Sequence, residues 1–357
     1  MLDIHIPPLD AEAMRRARER QAALAKPPGS LGALEDISVR FAGITGRVQN
    51  DAQKRRILIF ASDNGVVAEG VASAPQSVTL AQTINFTRGL TGVAVLARHF
   101  RTELRVYDVG INADFSQEGV INKKIAHGTR NLAVEPAMTR AQALEAIQIG
   151  IQAAADAADE GVEILGVGEM GIGNTTTSSA VLSCLLELPA CETVGRGGGV
   201  SDKGFARKRE IIDAAIARYA PDRGDPVDVL SKLGGFDIAA MCGAFLGAAE
   251  RRLPVVVDGY ISAVAALCAC RIAPACADYL FASHISCERG YMLAIREMGL
   301  KPMLDLQMRL GEGSGCPIAF EVIDAALTVL KDMATFDEAR IDDGYLAAIR
   351  ADARLQR

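Results

Sequence analysis

Val162-Glu163-Ile164-Leu165-Gly166 is a short apolar run that leads directly into Val167-Gly168-Glu169-Met170-Gly171-Ile172-Gly173-Asn174-Thr175-Thr176-Thr177. An Ala/Leu-rich stretch then opens near Ser178. The simplest reading is a strand, a glycine-rich turn beginning at Gly168, and a helix. The pattern recurs along the chain. Arg56–Ala61 runs into Ser62-Asp63-Asn64-Gly65, and Leu104–Tyr107 into Asp108-Val109-Gly110. Pro254–Val257 runs into Asp258-Gly259, and Tyr279–Ala282 into Ser283-His284. Strands that are apolar on both faces and alternate with helices predict an α/β protein with a parallel sheet covered on both sides. In such sheets ligands sit beyond the carboxyl ends of the strands, and that is where the glycines and polar residues gather here.

The two chain ends differ from this middle. Asp10–Gly46 and Phe320–Arg357 are helical in pattern, the first broken by Lys26-Pro27-Pro28-Gly29-Ser30-Leu31-Gly32, where Ser30 is placed to cap a following helix. The 357 residues are 50% hydrophobic with no Trp. Abundant Ala and Gly suit helices packed closely on a sheet, whereas a base-stacking platform would need more aromatics. A net charge of −6 and the lack of a basic stripe argue against nucleic acid as a partner. The eight cysteines lie between Cys184 and Cys316 with no CxxC pair. They read as reduced thiols of a cytoplasmic protein, and with four histidines they give no metal-ligand spacing. Met1–Arg15 lacks the apolar core of a signal peptide. Val255–Cys270, the most apolar stretch, is interrupted by Asp258-Gly259 and is not a membrane span.

Three segments carry candidate chemistry. The glycines and threonines of Gly171–Thr177 would let backbone amides and hydroxyls hold one phosphate at a helix start; a tight turn with capping threonines is the plainer reading. No Lys follows the last glycine, so this is not a Walker A loop, and the spacing is not that of a dinucleotide site. Gly195-Arg196-Gly197-Gly198-Gly199 precedes a stretch with Arg207-Lys208-Arg209, which either completes an anion site or is a solvated helix face. In Met308-Arg309-Leu310-Gly311-Glu312-Gly313-Ser314-Gly315, glycines on both sides of Glu312 would admit a substrate, and partial burial would make its carboxylate a better base. Glu169 is a second carboxylate in the phosphate-like segment. His284 reads as a structural residue at a strand end.

These segments, in this order, resemble the nicotinate-nucleotide:dimethylbenzimidazole phosphoribosyltransferase family, which activates the lower ligand of cobamides. The match takes in Lys26-Pro-Pro-Gly-Ser-Leu-Gly32, Asp63–Val71, Gly168–Thr176, Leu233-Gly-Gly-Phe236, Asp258-Gly259, Ser283-His284 and Arg309–Gly315. The resemblance implies a Rossmann-like large domain over residues 50–310 and a small helical domain built from 1–49 and 311–357. It implies Glu312 as general base, Glu169 as a second catalytic carboxylate, and Gly171, Gly173, Asn174, Thr175, Gly197 and Lys208 around the nucleotide phosphate. Asn64, Ala74, Gln76 and Leu310 would line the acceptor pocket. The implied partners are nicotinate mononucleotide, an aromatic acceptor and a second chain, identical or related; no cofactor is implied. Many relatives have His and Tyr at the positions of Asn64 and Ala74. That departure is either neutral drift or the mark of a changed acceptor: another benzimidazole, a purine, or a phenol such as phenol or p-cresol, the last used by family members that work as a complex of two related subunits.

Overall fold

The computed structural model describes residues 2–346, so the last part of the helical pattern read over Phe320–Arg357 lies outside the described residues. Six strands form one sheet: β1 Arg55–Ser62, β2 Glu103–Gly110, β3 Val120–Asn122, β4 Ile164–Met170, β5 Val255–Val257 and β6 Leu280–Ala282. All neighbours are parallel and the spatial order is β3-β2-β1-β4-β5-β6. The chain walks outward from β1 to β3, then returns to lay β4 on the other side of β1. Right-handed crossovers in two opposite directions put helices on both faces. The seam between β1 and β4 is the point where the order reverses, and its carboxyl end opens into a crevice.

One face is covered by helix Phe236–Glu250, with Arg140–Asp159 packed on it; Gly92–His99 and Cys316–Asp332 cover the other. The first pair explains the Ala/Gly content. A Cβ on Gly150 would lie 1.8 Å from the Ala240 carbonyl oxygen, and one on Gly243 1.9 Å from that of Ile147. The two backbones therefore touch, an approach that only glycine permits. At the chain ends, helices Ala11–Ala23, Ala33–Thr45 and Cys316–Asp332 pack together, with Ala17, Val39, Ala42 and Leu330 in one cluster. Ile37, Phe41, Phe320 and Ile323 of the same helices join the main core. Arg20 fastens the two ends: its guanidinium donates to the Leu330 and Lys331 carbonyls at 2.5 and 2.8 Å, satisfying the C-terminus of the last long helix.

Three local expectations need correction. β4 runs on through Gly168 and Glu169 to Met170 rather than ending at Gly166. The helix after it starts at Asn174, not near Ser178. Ser30 caps nothing, because helix Ala33–Thr45 begins after Gly32, whose φ of 52° suits only glycine, while Glu35 accepts from the Leu31 amide and the buried Lys26 ammonium.

Candidate active site

The glycines of β4 make room for the Glu312–Cys316 segment to lie on the strand. A Cβ on Gly166 would meet Cys316 Cβ at 2.7 Å, and one on Gly168 would meet the Glu312 carbonyl oxygen at 2.6 Å. The 311–315 loop thus rests directly on the end of β4. It is anchored from β5: Asp258, just past that strand, accepts from the Gly313 and Gly315 amides at 3.0 and 2.7 Å. Glu312 itself has φ 63°, in the left-handed region where a side chain other than glycine's is strained. Its carboxylate is buried and accepts from the Val93 amide at 3.2 Å, in the first turn of helix Gly92–His99, and from Gln82 at 3.4 Å. Burial raises its pKa, and the Val93 and Gly92 amides and Gln82 act in the opposite sense. The net effect is a carboxylate readier to take a proton than a solvated one.

The other end of the crevice suits an anion. Helix Asn174–Leu186 begins after Gly173, φ 97°, with no side-chain cap; the Asn174 and Thr176 amides donate back to the Gly171 and Gly173 carbonyls at 3.0 and 2.9 Å, which leaves the Thr175 amide without a backbone acceptor at the helix start. Lys208, from helix Asp202–Tyr219, is buried and donates to Thr175 Oγ1 at 2.8 Å. Burial pulls its pKa down to about 8, with the carboxylate of Glu288 acting the other way. Gly197 closes over this pair: a Cβ there would fall 2.9 Å from Thr175 Oγ1 and 3.4 Å from Lys208 Nζ. Arg207, one residue away on the same helix, turns outward to Glu69. The basic run is therefore divided between site and surface.

Glu169 joins the two ends. One oxygen accepts from the Glu312 amide at 3.2 Å and the other from Asn174 Nδ2 at 2.5 Å. It is 8% exposed, and its pKa is raised by burial first, with Asn174 and the Glu312 amide opposing.

One cavity of about 300 Å³ brings together Glu169, Gly171, Gly173, Asn174, Thr175, Gly197, Lys208, Ala74, Leu310 and Glu312. Two residues expected on its acceptor wall are not there. Asn64 is wholly buried beneath the glycine loop, with Gly173 against its Cβ, and Gln76 lies outside the cavity, where it accepts from Asn112 at 3.2 Å. Sequence reasoning passed over other wall residues: Gln82, Arg309, Ser286 and Glu288. Glu288 follows His284 by four residues, and Gln82 lies in helix Ser77–Thr87, where no pattern marks it. His284 is on the wall too, its Nδ1 2.9 Å from Ser283 Oγ and its pKa lowered by burial. Among the described residues no group of three or more His, Cys, Asp or Glu could hold a metal ion, and no helix is long and apolar enough to cross a membrane. All eight cysteines are free thiols, with Cys191 and Cys287 exposed.

A doubly wound parallel sheet with an uncapped helix start, a buried lysine and two buried carboxylates at its switch point is a nucleotide-handling α/β enzyme. Residues 6–341 match the model of a family described as phosphoribosyltransferase, and the chain belongs to that family. It is similar to the nicotinate-nucleotide–dimethylbenzimidazole phosphoribosyltransferase of Clostridium perfringens, 54% identical over 342 residues that cover 96% of this chain and 95% of that one. The enzyme of the same name from Clostridium tetani is 46% identical over 97% and 96%. The crystal structure of the Thermus thermophilus enzyme superposes with a TM-score of 0.89 at 39% identity, covering 94% of this chain and all of that one.

Proposed function

We propose that the protein transfers the 5-phosphoribosyl group of nicotinate mononucleotide to dimethylbenzimidazole, giving α-ribazole 5′-phosphate and nicotinate, with Glu312 as general base. The observation that carries this reading is the placement of the buried Glu312 carboxylate on the same cavity wall as the anion site, joined to it through Glu169. The names of relatives up to 54% identical support the substrates.

The chemistry asks little of the protein beyond placement. The glycosidic nitrogen of nicotinate mononucleotide is a pyridinium, so nicotinate departs with the bonding pair and needs no proton. One ring nitrogen of the benzimidazole forms a bond to C1′ as the pyridinium bond breaks, and the proton on the other ring nitrogen passes to Glu312. Attack from the face opposite the leaving group turns a β-linkage into an α-linkage. Holding the phosphate between the Thr175 amide, Gly197 and Lys208 fixes C1′ relative to the base, and such alignment supplies several kcal/mol of the barrier. Burial brings the Lys208 pKa down to about 8 in the empty site, and a bound phosphate would favour its charged form. The phenol alternative gains no support: the relatives are named for dimethylbenzimidazole, and Asn64, half of its motivation, is off the cavity wall. Ala74, on the wall, leaves room beside the acceptor.

The same reading includes a cytoplasmic enzyme acting as a dimer, with the chain-end helices as its small domain. Glu312→Gln tests the base directly. It should keep nucleotide affinity by calorimetry and lose roughly 10²–10⁴-fold in turnover; wild-type turnover would remove Glu312 from the mechanism.

A further inference from the structure

His284, just past β6, stands on the cavity wall with no task in the transfer mechanism. Its neighbours fix where its proton sits. Ser283 Oγ lies 3.0 Å from the Asp258 carbonyl oxygen and 2.9 Å from His284 Nδ1. A carbonyl can only accept, so the single hydroxyl proton of Ser283 goes to Asp258. The second contact is then a hydrogen bond only if Nδ1 carries a proton and donates it. Turning the ring over would set a carbon against Ser283 Oγ and lose that bond. Asp258 Oδ1, which accepts from the Gly315 amide, is 3.9 Å from Nδ1 and favours a proton on the same side. Burial lowers the His284 pKa, so the ring is neutral and Nε2 keeps a bare lone pair. That nitrogen borders open space. For a Cβ built on Gly259, another wall residue, the nearest atoms beyond its chain neighbours are His284 Nε2 and Ser286 Oγ, both at 3.9 Å. The opposite edge is closed by the Glu312 loop, where a Cβ on Gly315 would meet Nδ1 at 2.3 Å.

We propose that His284 Nε2 accepts a hydrogen bond from a ribose hydroxyl of the bound nucleotide, and so selects ribonucleotides over deoxyribonucleotides. The substrate's own chemistry narrows the choice. The carboxylate, the ring oxygen and the ionised phosphate of nicotinate mononucleotide accept hydrogen bonds, and its donors are the 2′- and 3′-hydroxyls. The N–H of the benzimidazole is the other donor in the reaction, and Glu312 takes it. An imidazole fixed as an acceptor therefore matches the sugar and neither anionic group. Its position agrees. On one side His284 packs against the loop of Glu312, where the bond to C1′ changes. Four residues on, Glu288 acts on Lys208 at the phosphate end. The ribose has to bridge those two ends, and His284 lies between them.

This role rests on the transfer reading, but the tautomer beneath it can be measured without activity. The chain has four histidines. Long-range proton–nitrogen correlation spectra of the ligand-free enzyme, assigned with His284→Asn, should show His284 protonated at Nδ1 alone near neutral pH. A proton on Nε2 would overturn the proposal. Kinetics then compare kcat/KM for nicotinate mononucleotide and its 2′-deoxy and 3′-deoxy analogues. Wild type should lose roughly five- to fiftyfold on one analogue, which identifies the hydroxyl. His284→Asn keeps a donor for Ser283 and removes the acceptor edge. It should lose a similar factor on the ribonucleotide and nothing further on that analogue. His284→Gln, which can place an acceptor near the Nε2 position, should restore part of the discrimination. Equal losses by His284→Asn on all three nucleotides, the pattern of a purely structural residue, would overturn the proposal, as would a wild type indifferent to both analogues. If His284→Asn does not fold, the tautomer and the wild-type comparison decide the matter. A wild type without turnover would remove the transfer reading by itself, and the same three nucleotides compared by calorimetric affinity would still decide the role of His284.

Discussion

Replacing Gly168 by Ala should disable the enzyme without touching a polar group. The new Cβ would stand 2.6 Å from the Glu312 carbonyl oxygen and 2.7 Å from the Gly313 nitrogen. Both are backbone atoms, so no side chain can swing aside. Restoring ordinary contact moves the 311–315 loop off β4 by roughly 0.8 Å. Gly168 lies in the middle of a strand buried along its whole length, so the strand cannot yield instead. That displacement is comparable with the slack in the bonds holding Glu312: 3.2 Å from its amide to Glu169, 3.2 Å from its carboxylate to Val93, and 3.0 Å from the Gly313 amide to Asp258. A misplacement near 1 Å is worth about 10²-fold in rate, and overpacking a buried contact costs about 1–3 kcal/mol of stability. We expect kcat to fall roughly ten- to a hundredfold, with a lower Tm and modest change in nucleotide KM. Steady-state kinetics and thermal denaturation would be run beside Gly247→Ala, whose Cβ also meets backbone, 2.7 Å from the Ile151 oxygen, but between helices behind the sheet. That control should lower Tm and spare kcat. Wild-type kcat in Gly168→Ala, or equal kinetic loss in both variants, would refute the reasoning.

Other outcomes follow from the same geometry. Lys208→Met removes a charged partner of the phosphate worth about 1.5–3 kcal/mol, so nucleotide KM should rise about ten- to a hundredfold; in the wild type, KM should climb as pH passes about 8, where Lys208 loses its proton. Gly243→Ala sets a Cβ 1.9 Å from the Ile147 oxygen. Alanine's helix preference, worth about 1 kcal/mol, cannot offset such a clash, and urea denaturation should show a net loss of about 1–3 kcal/mol. Burial also raises Asp258, like Asp237, to about 7. Both groups bind more protons folded than unfolded between the ordinary 3.8 and 7, so their contribution to stability is lost as pH rises through that window. Thermal scans should therefore show Tm increasing from pH 8 to pH 6, less so in Asp258→Asn.

What could be read from sequence was what short-range chemistry dictates. Five of the six strands declared themselves as apolar runs; β3, Val120–Asn122, escaped because it is a three-residue edge strand that is only half-buried. The end of β4 was misread because glycine ordinarily weakens strands, whereas Gly168 serves contact with a loop nearly 150 residues away in the chain. The order of the strands depends on long-range pairing that no local pattern records. Within the site, the glycine-rich loop and Glu312 stood out because glycines beside charged or hydroxyl groups are unusual. Lys208 was half legible: the run Arg207-Lys208-Arg209 was visible, but which of the three turns inward depends on helix phase. Asn64 and Gln76 were placed on the acceptor wall by analogy of sequence, and the fold turns one beneath the loop and the other outward. Asp237, bonded to Asn174 behind Glu169, carries no signal of its own; Asp258 stood out at a strand end and in the family match, but its bonds to the Gly313 and Gly315 amides could not be read from it.

The measurement that bears most directly on the account is product analysis of the purified chain with nicotinate mononucleotide and an equimolar mixture of dimethylbenzimidazole, adenine, phenol and p-cresol. The account predicts one equivalent of nicotinate for each α-linked dimethylbenzimidazole riboside phosphate as the main product, and its loss in Glu312→Gln. A phenolic riboside as the main product, a β-linked product, or no nicotinate release would contradict it.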